Sequence, residues 1–189
     1  MAAMIILRTL FHTTLAVWVR LAMAFAALGA TCAAASSVRS ADNRPPIIAG
    51  WIEDVRINPG NLQVKAKLDT GARTSSMDAP HLETFKKDGK PWVRFGFSTN
   101  ERRSVMIERP VKRTARIKDL TGPDQIRNVI EIGVCLDNIY TMTEVTLFDR
   151  TGFNYRLLLG RSFMNKAGIV VDPEATHITK PTCPVTVTP

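Results

Sequence analysis

From Ile47 onward the apolar residues recur at every second position rather than every third or fourth. Leu62, Val64, Ala66 and Leu68 alternate with Gln63, Lys65 and Lys67, the pattern of a strand buried on one face, and that strand runs straight into Asp69. The same reading predicts short strands at 92–97, 104–108, 127–136, 144–148, 155–159 and 168–171. Turn formers separate them: Asp88-Gly89, Gly122-Pro123, Asp149 to Gly152, and Asp172-Pro173. One short helix fits between Arg161 and Lys166, stopped by Gly168. Many short strands at this spacing predict an all-β barrel or sandwich, with no internal repeat.

The N-terminus follows a different grammar. Arg8 and Arg20 precede the uncharged, Ala-rich run Leu21 to Ala35, which ends in Ala33-Ala34-Ala35. Residues 1–35 therefore read as a signal peptide cut after Ala35, or as an N-terminal anchor left in place. Either way the rest of the chain is exported, to the periplasm or beyond. Residues 36–46 form a polar linker ending in two prolines, residues 47–181 the ordered domain and residues 182–189 a tail. Without residues 1–35, the remaining 154 residues of the 189-residue chain hold 23 basic and 17 acidic groups, a net of +6. With 22% charged and 45% hydrophobic residues, a body of that size buries a core without disulfide staples and is neither disordered nor fibrous. Cys135 and Cys183 are the thiols left after export; Cys135 reads as a small buried residue of the run Val129 to Leu136 rather than as one end of a bridge to the tail.

Absent motifs narrow the chemistry. His12, His81 and His177 are isolated, so no H-E-x-x-H helix can present two imidazoles to a metal. A phosphate-binding Walker loop, a G-x-S-x-G elbow and a dinucleotide fingerprint are also missing. What stands out is Leu68-Asp69-Thr70-Gly71-Ala72, an acid delivered by an alternating strand onto a turn with Gly where the backbone bends. Some ninety residues on, Leu157-Leu158-Leu159-Gly160-Arg161 sets three apolar residues before a Gly and the short helix.

This pairing resembles the retropepsin-like aspartic proteases, in which D-T-G-A carries the catalytic acid and an apolar-apolar-Gly segment threads beside it. Gly50-Trp51, the string Lys65 to Ser76, Trp92 to Phe95, the basic stretch Arg113 to Arg127, Leu158 to Arg161 and Val171-Asp172-Pro173 are similar, in that order, to one bacterial family. It is labelled "ATP-dependent zinc protease" and also described as retropepsin-like aspartic endopeptidases associated with ATP-grasp peptide ligases. The resemblance implies an acid-protease barrel with one short helix after the Leu-Leu-Gly strand, and a domain spanning 47–181. It implies chemistry that follows the aspartate, with no metal and no cofactor, because the sequence offers neither a zinc cluster nor an ATP loop.

Aspartic proteolysis uses two carboxylates sharing one proton, since like charges about 3 Å apart cannot both ionise. The chain has one Asp-Thr-Gly, so the resemblance implies a homodimer with Asp69 from each subunit at a shared site. Thr70 would brace the paired loops and Gly71 would let a backbone amide reach the carboxylate. Ala72, Arg73 and Thr74 follow in the substrate-binding position. Arg73 would favour the ionised carboxylate, bind an acidic substrate side chain, pair across the dimer, or form a plain surface ion pair. Lys112, Arg113, Arg116, Lys118, Gly122 and Arg127 flank the Thr121-Gly122-Pro123 turn as a basic hairpin: either a flap over an extended peptide or a solvated basic face. As a flap, it predicts acidic peptide or protein substrates. Asp172 reads as a turn residue, or as a second carboxylate if the chain works alone; Asp78, His81 and Glu83 read as surface, and Trp51 and Trp92 as packing.

Two other classes compete. A non-catalytic module could hold acidic peptides on the same barrel. A nucleic-acid-binding barrel would suit the pI of about 9.8, but the domain has few aromatics for stacking, and no nucleic-acid partner is expected of an exported domain. The expected membrane contact is limited to an uncleaved N-terminal segment.

Overall fold

The computed structural model describes residues 45–99, 103–118 and 122–184. The predicted signal or anchor at 1–35, linker residues 36–44, Thr121 of the hairpin turn and tail residues 185–189 lie outside the described residues. The elements run β1 (Ile47–Asn58), β2 (Leu62–Asp69), β3 (Ser75–Asp78), β4 (Glu83–Lys87), β5 (Lys90–Ser98), β6 (Ser104–Pro110), β7 (Arg113–Ile117), β8 (Gln125–Leu136), β9 (Ile139–Phe148), β10 (Leu157–Gly160), helix α1 (Arg161–Ala167) and β11 (Ile169–Thr176).

Strands β1, β2, β10, β3, β9 and β8 pair in that order, and β8 returns to β1 through Arg56 opposite Cys135 and Ile57 opposite Val134. That pairing closes a six-stranded barrel and removes the edges of those strands. Its interior is filled by the alternate positions of each strand: Val64, Ala66 and Leu68 from β2, Leu157 and Leu159 from β10, Met77 from β3, and Val145 and Leu147 from β9. Each buried Leu contributes on the order of 1.5–3 kcal/mol of transfer free energy. Strands β4, β5 and β6 form a separate three-stranded sheet that sends Val93, Phe95, Phe97 and Ile107 into the same core. Its outer face stacks Phe85 on Trp92 and pairs Arg94 with Glu108 at 2.5 Å.

Strand β10 is inserted between β2, to which it is parallel, and β3, to which it is antiparallel. The insertion is tight. A Cβ on Gly160 would lie 2.7 Å from the carbonyl of Thr74, so only glycine lets the strand end pass beneath the Asp69 turn.

Three sequence expectations are corrected. Cys135 is buried, but it is also bonded to Cys183, which ties the tail to β8 across 48 residues. The tail is brought there by Arg56, whose guanidinium donates to the carbonyls of Pro181 (3.0 Å) and Cys183 (2.7 Å). Asp78 is fully buried rather than on the surface: it accepts from the Arg150 amide at 2.6 Å and pairs with the Arg156 guanidinium. Asp172-Pro173 does not end a strand. It lies inside β11, where Asp172 sits opposite Gly50 and accepts a local bond from the Glu174 amide at 2.9 Å. His81 and Glu83 are exposed, as expected.

Candidate active site

The alternation of β2 carries Asp69 to the barrel end, where the turn folds back on its own carboxylate. Asp69 Oδ1 accepts from the amides of Gly71 at 2.9 Å and Ala72 at 3.3 Å. A Cβ on Gly71 would press to 3.2 Å from that oxygen. From below, the Arg161 guanidinium donates to the carbonyls of Thr70 (2.7 Å) and Gly71 (2.9 Å), while the amides of Arg161 and Ser162 donate to Ala72 and Arg73. The Ser75 hydroxyl, buried, receives the Gly160 amide at 3.1 Å. Four backbone carbonyls of the turn and one hydroxyl are thus held by one threaded segment. Yet the Asp69 side chain is 27% exposed, and its Oδ2 lies 3.7 Å from the Lys67 ammonium. Thr70 and Gly71 form the exposed crest of the turn.

The comparison with known families decides what this arrangement belongs to. The model of the RimB-like family, described as "Retropepsin-like aspartic endopeptidase RimB", matches residues 48–182. The chain belongs to the RimB-like family. Its fold is accordingly the retropepsin-like barrel, and the family is one of hydrolases by description. Among curated proteins it is similar to a "Probable alpha-L-glutamate ligase" of Desulfotalea psychrophila, 35% identical over 113 residues, covering 58% of this chain and 24% of that protein. A protein of the same name from Shewanella pealeana is 37% identical over 113 residues, with the same coverage. The chain therefore spans about a quarter of the length of the curated relatives it matches. Among solved structures, a Legionella pneumophila protein of unknown function, Lpg0085, superimposes with a TM-score of 0.61 at 30% identity, covering 70% of this chain and 98% of that one.

Within this RimB-like barrel the predicted substrate-binding residues, apart from Ala72, whose amide caps Asp69, divide into two groups. Arg73, Thr74 and Arg113 line one open cavity of 490 Å³, together with Thr143, Glu144, Ser162 and Lys166. Arg116, Lys118, Gly122 and Arg127 do not line it. They lie along the β7–β8 hairpin, which has the register Arg113 opposite Val129 through Ile117 opposite Gln125. Arg116 is exposed and pairs with Asp124 at 3.6 Å; Lys118 and Gly122 are exposed beside the tip. Arg127 is half-buried, laid on the Phe148 ring at 3.8 Å and bonded to Gln125, and burial lowers its pKa.

At the cavity, Arg113 grips Glu144 through two nitrogens at 3.0 and 2.7 Å, and Lys112 reaches the same carboxylate at 3.3 Å. The Arg113 bond, and then Lys112, hold the Glu144 carboxyl below its ordinary range. The Arg73 side chain has no partner among the described residues.

Three contributors were not legible as such. Lys67 reads as the solvent side of a strand, yet two residues from Asp69 it shares that residue's face. Arg161 was visible after Gly160, but its reach back to the turn depends on β10 threading beneath it. Lys166 is an ordinary last-turn lysine until α1 packs beside β9, where its ammonium meets the Met142 carbonyl at 3.4 Å. Among the described residues no three His, Cys, Asp or Glu side chains gather as metal ligands, and no helix is long and apolar enough to cross a membrane.

Proposed function

We propose that this chain is an exported aspartic endopeptidase that works as a homodimer with Asp69 from each subunit at a shared site. The observation that carries the reading is the Asp69 carboxylate: one oxygen fixed by two amides, the other open, on a turn whose crest is exposed in the single chain. Exposure of Thr70 and Gly71 supports the two-fold contact, because residues that pack on their own copies are left uncovered in one subunit.

In the dimer, the ionised Asp69 takes a proton from water as the water oxygen bonds to the peptide carbonyl carbon. The neutral partner's Asp69 gives its proton to the carbonyl oxygen. Collapse of the tetrahedral diol breaks the C–N bond: the departing amine takes a proton from the carboxyl group that has just received one, and a diol hydroxyl returns its proton to the partner's Asp69 as the new carboxyl carbonyl forms. The β7–β8 hairpin would close over the peptide and pair with its backbone. A net charge of +6 over residues 36–189 favours acidic peptides. The relatives' printed name, a glutamate ligase, supports glutamate-containing chains as substrates.

A second reading, a module that binds acidic peptides without cutting them, is favoured by the Lys67 ammonium beside Asp69 Oδ2, which competes for the charge the dyad must share. Cleavage of glutamate-rich and mixed peptide libraries, with and without EDTA, over about pH 4 to 8, separates the two. Cleavage that survives chelation and disappears in Asp69→Asn supports the peptidase. Activity that persists in Asp69→Asn would sink it, and binding without cleavage by either protein leaves the module.

A further inference from the structure

The β7–β8 hairpin does not stand clear of the barrel. The last pairing of β8 with β9 is Val129 opposite Thr146; from there to Gln125, β8 has only β7 beside it among the described residues. Opposed residues share a face, and so do residues two apart along a strand. One face of this arm therefore carries Ala115, Ile117, Gln125 and Arg127, the other Thr114, Arg116 and Ile126. The first set is half-buried throughout and the second is exposed. A hairpin projecting straight into solvent would expose both faces alike, so this one leans. The face it leans on is that of Asp69. A row of paired residues, Lys67, Leu158, Ser76, Thr146, Val129 and Arg113, runs unbroken from β2 to β7, while the alternate residues Leu68, Leu159, Met77 and Val145 fill the barrel.

Along that row the cover increases away from Asp69. Lys67 and Leu158 keep part of their surface, whereas Ser76, Thr146 and Val129 are buried. The Ser76 hydroxyl is buried without a partner, a cost that a permanently packed face would avoid. The next row on the same face, Asp78, Phe148 and Arg127, is where the hairpin is fastened. The Arg127 guanidinium lies 3.8 Å from the centre of the Phe148 ring, Phe148 meets Phe153 edge-on at 6.2 Å, and the Arg150 guanidinium lies 4.4 Å from the Phe153 ring. Arg150 is itself anchored: its amide donates to the buried Asp78 at 2.6 Å and its Nε to the Tyr155 carbonyl at 3.0 Å. The stack thus ties a projecting arm to a fixed loop. Burial lowers the Arg150 pKa, Asp78 raises it and the Arg127 charge lowers it again, so the two cations of the stack repel.

We propose that the Arg127–Phe148–Phe153–Arg150 stack is a latch that holds the β7–β8 hairpin down over the Asp69 face of the free chain, and that it parts before a peptide reaches Asp69. The proposal rests on the peptidase reading only for what enters. In the latched state the face is accessible at β2 and β10 and covered at β3, β9 and β8, so an extended peptide has no continuous path across it. Lifting Arg127 off Phe148 uncovers Val129, Thr146 and the Ser76 hydroxyl, which then has water or a peptide backbone to bond. A cation–π contact is strong enough to hold such an arm and weak enough to release it. Arg127 and Phe153 are positioning residues: they act through the hairpin and not on the reacting atoms.

The test is amide hydrogen exchange in the full-length protein and in its Phe153→Leu, Arg127→Gln, Arg127→Lys and doubly substituted Phe153→Leu, Arg127→Gln variants. Exchange at residues 113–117 and 125–128 is read as a ratio to that of strand β2, so a general loss of stability cancels. Phe153→Leu, one ring removed from the hairpin's own contact, is expected to quicken hairpin exchange about two- to thirtyfold, the range of a cation–π contact. Arg127→Gln should do the same, the double variant no more than the larger single one, and Arg127→Lys should keep most of the protection. Unchanged hairpin exchange in Phe153→Leu, or effects that multiply in the double variant, overturns the latch. Cleavage of mixed peptides is scored separately. The latch predicts that KM falls by the factor by which exchange rises, with kcat kept, because apparent affinity scales with the open fraction. A KM that rises in Phe153→Leu overturns the gate, since the held-down position would then be the productive one. Exchange as expected without cleavage by any of the proteins removes the peptidase and leaves the latch, and cleavage with unmoved exchange does the reverse.

Discussion

Two carboxylates in this barrel are both held by backbone amides, and they end in opposite conditions. Glu53, on β1, is fully buried: its oxygens accept from Gly50 (2.6 Å), Ile178 (3.2 Å) and both the amide (3.0 Å) and hydroxyl (2.8 Å) of Thr179. Asp69, on β2 next to it, has one oxygen capped by Gly71 and Ala72 and the other left to Lys67 and solvent. Saturating both oxygens makes Glu53 a clamp that fixes the chain after β11 against β1. Saturating one makes Asp69 rigid without using up its lone pairs. The same local chemistry gives a structural acid where the chain doubles over it and a reactive one where the chain leaves it open.

The largest effect that would test this contrast is expected at Asp69. Asp69→Asn should reduce peptide cleavage by about 10²–10⁴-fold, the usual share of general acid–base catalysis, while leaving the melting temperature unchanged, because an amide oxygen still accepts from Gly71 and Ala72. A large drop in melting temperature would mean that Asp69 is a clamp after all. Next comes the tail. Cys183→Ser opens a 48-residue loop and is expected to cost about 4 kcal/mol in urea titration by chain-entropy arithmetic. Glu53→Ala strands the amides of Gly50, Ile178 and Thr179 and should cost about 3 kcal/mol, with faster hydrogen exchange confined first to β11 and the tail. An unchanged exchange pattern would refute the clamp.

The smallest effect belongs to Glu144. Its folded carboxyl lies below the ordinary value of 4.5 because Arg113, and then Lys112, bond it. The stabilisation is therefore complete above pH 4.5 and lost as pH falls through the lower folded value. Amide exchange in the β7–β8 hairpin should quicken modestly as pH falls below 4.5, and Glu144→Gln should flatten that dependence. The pair is largely solvent-exposed, so salt should weaken it as well.

Where the sequence was readable, a period-two pattern met one solvated face. Strand β2 buries Leu62, Val64, Ala66 and Leu68 and turns its lysines outward, so its end at Asp69 was legible from composition alone. The α1 helix was found to within a residue because Gly168 adopts the left-handed conformation that stops it, with φ of 66°. Strand β1 escaped the pattern because a register shift between Gly50 and Ile52 brings consecutive residues to the core and breaks the alternation. Strand β3, Ser75–Asp78, looks like a polar loop; all four residues are buried because β10 and β9 cover both its edges and Arg156 meets the Asp78 charge.

By itself the sequence determined the class of fold, the acid at the end of β2 and the glycine that ends β10, since each depends on neighbours a few residues away. Tertiary structure alone decided which cations are spare. Arg73, Arg113 and Lys166 are equivalent basic residues in a linear reading, and only the crossing of β7, β9 and α1 near the Asp69 turn engages one with Glu144 and leaves the other two unneutralised. Charge pairing in a folded chain is set by distance through space, and that distance is fixed by the barrel's closure rather than by any local pattern.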